Sequence, residues 1–315
     1  MKKQIACIFL AVILTVQFGV TVCAEDTETP IVPADSGVEI NGLNIVLSGE
    51  IGLTFHVFIP KKYKGGTMEF TFMDKPPITM NIADCPLDNN LRYLATYYLS
   101  AVELSEKVTL TVFDSDHDPL AQESYSAEEY VSFLLKDENA TEKEKNVGKA
   151  LINYGHYAQL ACSEANGWEI GKDYKETTAY GAPAVDPSVF EAYGIEWQNE
   201  AAALRRISMS LRLDYKTCIR LYLPLSEKPT VTVDGEAVEV TQSERLENNY
   251  EILIEGINVL NLNKKYEITV NDVTFTLSAF SYCDLAITHD VSENTVNAIR
   301  ALYEFYQATV DYNEF

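Results

Sequence analysis

Residues 43–60 read LNIVLSGEIGLTFHVFIP, and residues 207–224 read ISMSLRLDYKTCIRLYLP. Laid over one another without a gap, Leu43, Ile45 and Leu47 meet Ile207, Met209 and Leu211. Phe55, Val57 and Ile59 then meet Ile219, Leu221 and Leu223, and both stretches stop at proline. Apolar residues at every second position describe half-buried strands, one face on a core and the other in water. The centres differ, Ser48-Gly49-Glu50 against Arg212-Leu213-Asp214. A turn between two strands, or a bulge, is expected in the first copy.

Two more blocks follow in the same order. Residues 102–114, VELSEKVTLTVFD, lie over residues 260–272, LNLNKKYEITVND, with Leu104, Leu110 and Val112 on Leu262, Ile268 and Val270. Farther on, Ala150, Leu151 and Tyr154 meet Ala301, Leu302 and Phe305. Elements that persist while loops shorten give this ordered pattern, so the chain reads as an internal duplication. Between the blocks, residues 67–73, 92–99 and 250–255 read as strands. Residues 230–240 read as a hairpin whose Asp234-Gly235 suits a type I′ turn.

Each copy closes in helices. Ser126 with Glu129 and Thr141 with Glu144 are capping boxes. The second opens a helix carrying Val147, Ala150, Leu151, Tyr154, Ala158 and Ala161 on one stripe. In the second copy a short helix is expected over residues 279–287. Ser292 then caps a helix with Val296, Ile299, Leu302, Tyr303 and Tyr306 on its stripe. The predicted fold class is α+β: two homologous antiparallel β-sandwich modules, each ending in a helical pair. The expected limits are a signal peptide at 1–24, a disordered leader at 25–40, module 1 at 41–163, a connector at 164–200 and module 2 at 201–315.

Lys2 and Lys3, the apolar residues 5–16, and Val22 and Ala24 at the cleavage positions compose an export signal. A span would need about 20 uninterrupted apolar residues, and Gln17 breaks the run. No later segment is long enough to cross a bilayer, so a secreted, extracellular product is expected, held at a cell surface only through a partner. The balance of 24 Lys and Arg against 47 Asp and Glu, a net charge of -23, excludes nucleic acid and anionic membrane as partners. Cys85, Cys162, Cys218 and Cys283 remain after cleavage. They are expected to be buried thiols rather than staples in a chain of this size.

The stretches Leu47-Ser48-Gly49-Glu50-Ile51-Gly52 and Ile152-Asn153-Tyr154-Gly155-His156-Tyr157-Ala158-Gln159 resemble a module of exported proteins from anaerobic Gram-positive bacteria. That module often reads LSGDIGVNFY near its start and LNYGAYAQ near its end. Ala301-Leu302-Tyr303 is similar to the closing motif of its usual partner. The resemblance spans about residues 40–315. It implies work on an extracellular polymer or surface, and it carries no catalytic residue and no cofactor.

Chemistry-bearing patterns are sparse. No nucleophile elbow, zinc-protease, Walker or dinucleotide motif is present. His56 is matched by Arg220 in the second copy and His156 by Gln307, so neither position keeps a base. Asp114, Asp116 and Asp118 alternate as a calcium loop begins, but Pro119 and Tyr125 replace the glycine and glutamate that an EF-hand needs. Aromatic residues are the better lead: Trp168, Tyr174, Tyr180, Tyr193 and Trp197 lie along the connector, and a junction between domains makes a groove. The expected function is a non-catalytic binding or scaffolding protein with polysaccharide or a surface protein as partner. The second reading is an extracellular glycan hydrolase using two carboxylates that sequence spacing does not identify. A structural spacer is the third.

Overall fold

The computed structural model describes residues 13–16, 36–47, 51–199, 204, 207–213, 217–289 and 291–313. Its elements run β1 (Ile13–Val16), β2 (Glu39–Leu47), β3 (Ile51–Phe58), β4 (Thr67–Phe72), β5 (Lys75–Asn81), β6 (Tyr93–Leu99), β7 (Val108–Phe113), β8 (Pro119–Tyr125), α1 (Ala127–Lys136) and α2 (Glu142–Asn166). There follow β9 (Glu196–Trp197), β10 (Ser208–Leu213), β11 (Thr217–Leu223), β12 (Val231–Val233), β13 (Glu236–Ala237), β14 (Thr241–Gln242), β15 (Tyr250–Ile254), β16 (Tyr266–Val270), β17 (Val273–Leu277), α3 (Ala279–Thr288) and α4 (Glu293–Asn313).

Four antiparallel sheets form, in the orders β1-β2-β3-β6, β5-β4-β7-β8, β10-β11-β15-β14 and β13-β12-β16-β17-β9. The series β2-β3-β6 with β5-β4-β7-β8 in the first half recurs as β10-β11-β15 with β13-β12-β16-β17 in the second. Each quoted stretch is a hairpin rather than one strand, because Leu47 pairs with Ile51 and Leu213 with Thr217. Residues 48–50 lie outside the described residues. Leu43, Ile45, Leu47, Phe55, Val57 and Ile59 are buried, as are Ile219, Leu221 and Leu223. Phe55 meets Phe70 across the two sheets of the first half at 5.7 Å between ring centroids. Asp234 and Gly235 take φ of 51° and 83°, the positive values a type I′ turn demands.

The helix boundaries follow from their caps. Ser126 Oγ accepts from the Glu129 N–H, and the Glu129 carboxylate accepts from the Ser126 N–H, each at 3.0 Å. Thr141 and Glu144 repeat the arrangement. The Thr295 N–H donates to Ser292 Oγ at 3.3 Å. Helices α2 and α4 run antiparallel against each other. Tyr154 stacks on Phe305 at 5.9 Å and 12°, while Glu164, ten residues farther along α2, accepts from Ser292 and Asn294 at the start of α4.

Two expectations need correction, and one open alternative is decided. The outward face of the first sheet is not uniformly wet. Asn44 and Thr54 are 3% exposed, because Gly42 and Gly52 leave room for Arg92 and Tyr98 to close over it. The leader does not reach residue 40: Ser36 Oγ donates to the Leu120 carbonyl, and β2 starts at Glu39. Residues 25–35 lie outside the described residues, as does the export signal apart from β1, which pairs with β2. The connector, free on sequence either to pack or to hinge, packs: β9 extends the fourth sheet by pairing with β17. Its Phe190 is fully buried, edge-on to Phe280 at 5.7 Å.

Among the described residues, no helix is long and apolar enough to cross a membrane. Gly155 seats α2 on the first half: a Cβ there would stand 2.7 Å from Leu104 Cδ1 and 3.0 Å from the Ala101 carbonyl. Gly155→Val is expected to cost about 2 kcal/mol or more by overpacking. Gly65→Ala, where nothing lies within 4 Å, should stay within about 0.5 kcal/mol. Urea unfolding of both variants checks the pair.

Candidate functional site

Where the end of α2 meets the start of α4, a cavity of about 600 Å³ opens between the two halves. Tyr154, Trp168, Arg220, Arg245, Tyr282 and Ile299 line it. Ser100, Asn166, Ser210 and Thr295 add neutral polar groups, and no aspartate or glutamate is among the described lining residues. Arg220 projects from β11, and its side chain is 16% exposed. Glu251, its neighbour on β15, stands 3.9 Å away, beyond hydrogen-bond reach. The Arg220 Nε and the Glu251 Oε2 are both buried without a hydrogen-bond partner.

The five connector aromatics do not gather there. Trp168 lines the cavity and holds Tyr174 at 4.9 Å between ring centroids. Tyr180 is exposed. Tyr193 packs edge-on to Phe280 at 5.0 Å, and burial followed by neighbouring Tyr303 pushes its hydroxyl up to about 12. Trp197 rides on β9 against Phe275 at 4.7 Å. The connector is stretched over α2, α3 and the edge of β17, which spreads its rings among three places.

Asp114, Asp116 and Asp118 do not compose a ligand set. Asp114 Oδ1 accepts from the backbone N–H groups of Asp116 and Asp118, both at 2.9 Å, and so closes its own loop. No group of three metal-ligating side chains occurs among the described residues. Cys85, Cys162, Cys218 and Cys283 are thiols, the last two buried as expected and the first two only half-buried, and burial raises the pKa of Cys283 and of Cys85.

The residues with the densest polar contacts are ones that a search for reactive groups passes over. Gln159 is 2% exposed. Its Nε2 donates to the Val102 and Lys175 carbonyls at 2.7 and 2.9 Å, and its Oε1 accepts from the Thr177 N–H at 2.8 Å. His156 Nδ1 sits 2.6 Å from the Thr177 carbonyl, and Asn153 Oδ1 accepts from the Tyr180 N–H at 2.7 Å. Thr177 itself is fully buried, and its hydroxyl accepts from Ser105. The motif at residues 152–159 therefore pins the connector along α2. The visible signal was three polar residues at i, i+3 and i+6 beside an apolar stripe.

A second polar cluster covers the outer face of the first sheet. The Asp88 carboxylate receives a fork from Arg92 at 2.7 and 2.8 Å, His56 Nδ1 at 3.1 Å, and the backbone N–H groups of Asn90 and Arg92. Burial acts to raise the Asp88 pKa, but these donors outweigh it and hold the carboxyl far below the usual range. Burial, only partly offset by the bond to Asp88, lowers the His56 pKa. His56 Nε2 meets Asn44 Oδ1 at 2.7 Å, so neither ring nitrogen is open to a substrate, and the cluster serves as structure.

Two tests follow. Gln159→Ala removes the pin and leaves buried backbone groups unpaired, at a cost of about 1–3 kcal/mol each. Amide exchange at Thr177 should accelerate, and proteolysis should begin within residues 170–182. As to pH, the neutral form of His56 is favoured on folding. Its contribution is complete above the ordinary value of 6.5 and is lost as the pH falls below it. His56→Gln should lose less stability between pH 7 and pH 5 than the parent chain, read as the shift in urea midpoint. Compared with models of known protein families the chain matches none, and no curated protein matches it.

Proposed function

We propose that this chain is an exported, non-catalytic binding or scaffolding protein of the cell surface or the medium, built by duplication of one sandwich-plus-helix module and acting on a polysaccharide or a surface protein. The charged, apolar and small-residue pattern of residues 1–24 supports export. The recurring strand order supports duplication. The observation that carries the binding reading is the junction cavity, whose size falls in the range of small-ligand sites.

The lining also discriminates between this reading and hydrolysis. Hydrolysis of a glycosidic bond takes two carboxyl groups about 5–9.5 Å apart, and the described lining offers neither aspartate nor glutamate. Its aromatic and neutral polar groups suit retention instead. The test is a glycan array and a cell-wall pull-down with the full chain, run beside a reducing-sugar assay. Binding above background with no release of reducing ends is expected. Release of reducing ends, or no ligand on either platform, would overturn the reading.

A further inference from the structure

We infer that the junction cavity takes a carboxylated sugar, with its carboxylate between Arg220 and Arg245 and an apolar ring face toward Trp168. The inference rests on the binding reading and adds the ligand's charge and class. Acids outnumber bases about two to one along the chain, yet this cavity inverts the balance, with two guanidinium groups and no carboxylate among its described lining residues. A guanidinium fork matches a carboxylate in shape and charge, and the match is strongest where water is scarce. Glu251 engages Arg220 by charge and not by a hydrogen bond: its Oε1 stands 3.9 Å from Arg220 Nε, and that Nε lacks a hydrogen-bond partner.

Arg245 is delivered by the loop between β14 and β15. Ser243 Oγ accepts from the N–H groups of Arg245 and Leu246 at 3.2 Å, and Asn248 turns the loop at a φ of 58°. Ser100, Asn166, Ser210 and Thr295 each both donate and accept, as sugar hydroxyls do. A peptide, by contrast, would call for a ladder of main-chain partners. A cavity of about 600 Å³ holds a short oligosaccharide.

The experiment titrates the full chain by calorimetry with trigalacturonic acid and with its methyl ester, which keeps every ring hydroxyl and removes the charge. The acid should bind about tenfold more tightly or better, as expected for charge-assisted hydrogen bonds. Arg220→Met and Arg245→Met should each erase that preference, so that acid and ester bind alike, with Arg220→Lys between. Thermal melting monitors folding, and the exposed Arg245 keeps the test valid if Arg220→Met unfolds. Equal affinity for acid and ester, or indifference to both arginine variants, overturns the charge assignment while glycan binding stands. Preference for a tripeptide with a free C-terminal carboxylate over its amide, without sugar binding, overturns the sugar class. No binding of either sugar, alongside a positive pull-down, sinks this inference alone; a negative pull-down as well sinks both.

Discussion

The antiparallel packing of α2 on α4 is the contact on which the molecule's arrangement depends. Tyr154 and Phe305, which fall together when residues 150–154 are laid over 301–305, stack on each other. Each helix carries an apolar stripe for its own sheets, so a second apolar flank needs a partner, and the other half supplies it. At the end of α2, Glu164 accepts from Ser292 and Asn294 at the start of α4. The cavity lies beside that contact, walled by both helices, by Trp168 of the connector and by Arg245 of the β14–β15 loop.

The connector makes this arrangement directional. On α2 it is pinned by Asn153, His156 and Gln159. On α4 it is pinned by Glu304, whose carboxylate accepts from the Ala184 and Val185 N–H groups, and by Arg300 Nε, which donates to the Val185 carbonyl at 2.6 Å. Buried polar side chains destabilise a core unless they are fully bonded. Gln159 meets that condition with three bonds, all to backbone. The strap thus binds each long helix by side chains reaching to main chain, and it places Trp168 at the cavity wall.

Much of the fold was legible because it is encoded locally. Period-two burial at Leu43, Ile45 and Leu47 and at Phe55, Val57 and Ile59 needs only the pleat, and the boxes at Ser126 and Thr141 need only one helical turn. What stayed hidden depends on contacts distant in sequence. The pairing of Trp197 with Phe275 turns a connector residue into part of a sheet, and nothing near Trp197 in the chain announces it. The site was legible only at Trp168. Arg220 sits at an outward strand position, where a cation reads as solvated, and Arg245 lies in a polar loop. Their juxtaposition comes from the β11–β15 pairing and the packing of the second half on α2, neither of which leaves a periodic trace.

The stretches around Gly52 and over residues 152–159 stand out in the sequence and act mechanically in the structure. Gly52 is small because Thr96 and Tyr98 lie over it, with Thr96 Cγ2 only 2.8 Å from where a Cβ would stand. Gly155 is small because α2 presses on Leu104 and the Ala101 carbonyl. One glycine lets the first sheet close its outer face, and the other lets α2 approach the first half. Both are conditions for bringing α2 close enough to carry the second half. A motif made of space and backbone clamps builds the frame, and side chains that differ between the two halves carry the local polar contacts. His56 and Arg220 illustrate this: one outward position holds a structural imidazole in the first half and a cavity-lining guanidinium in the second.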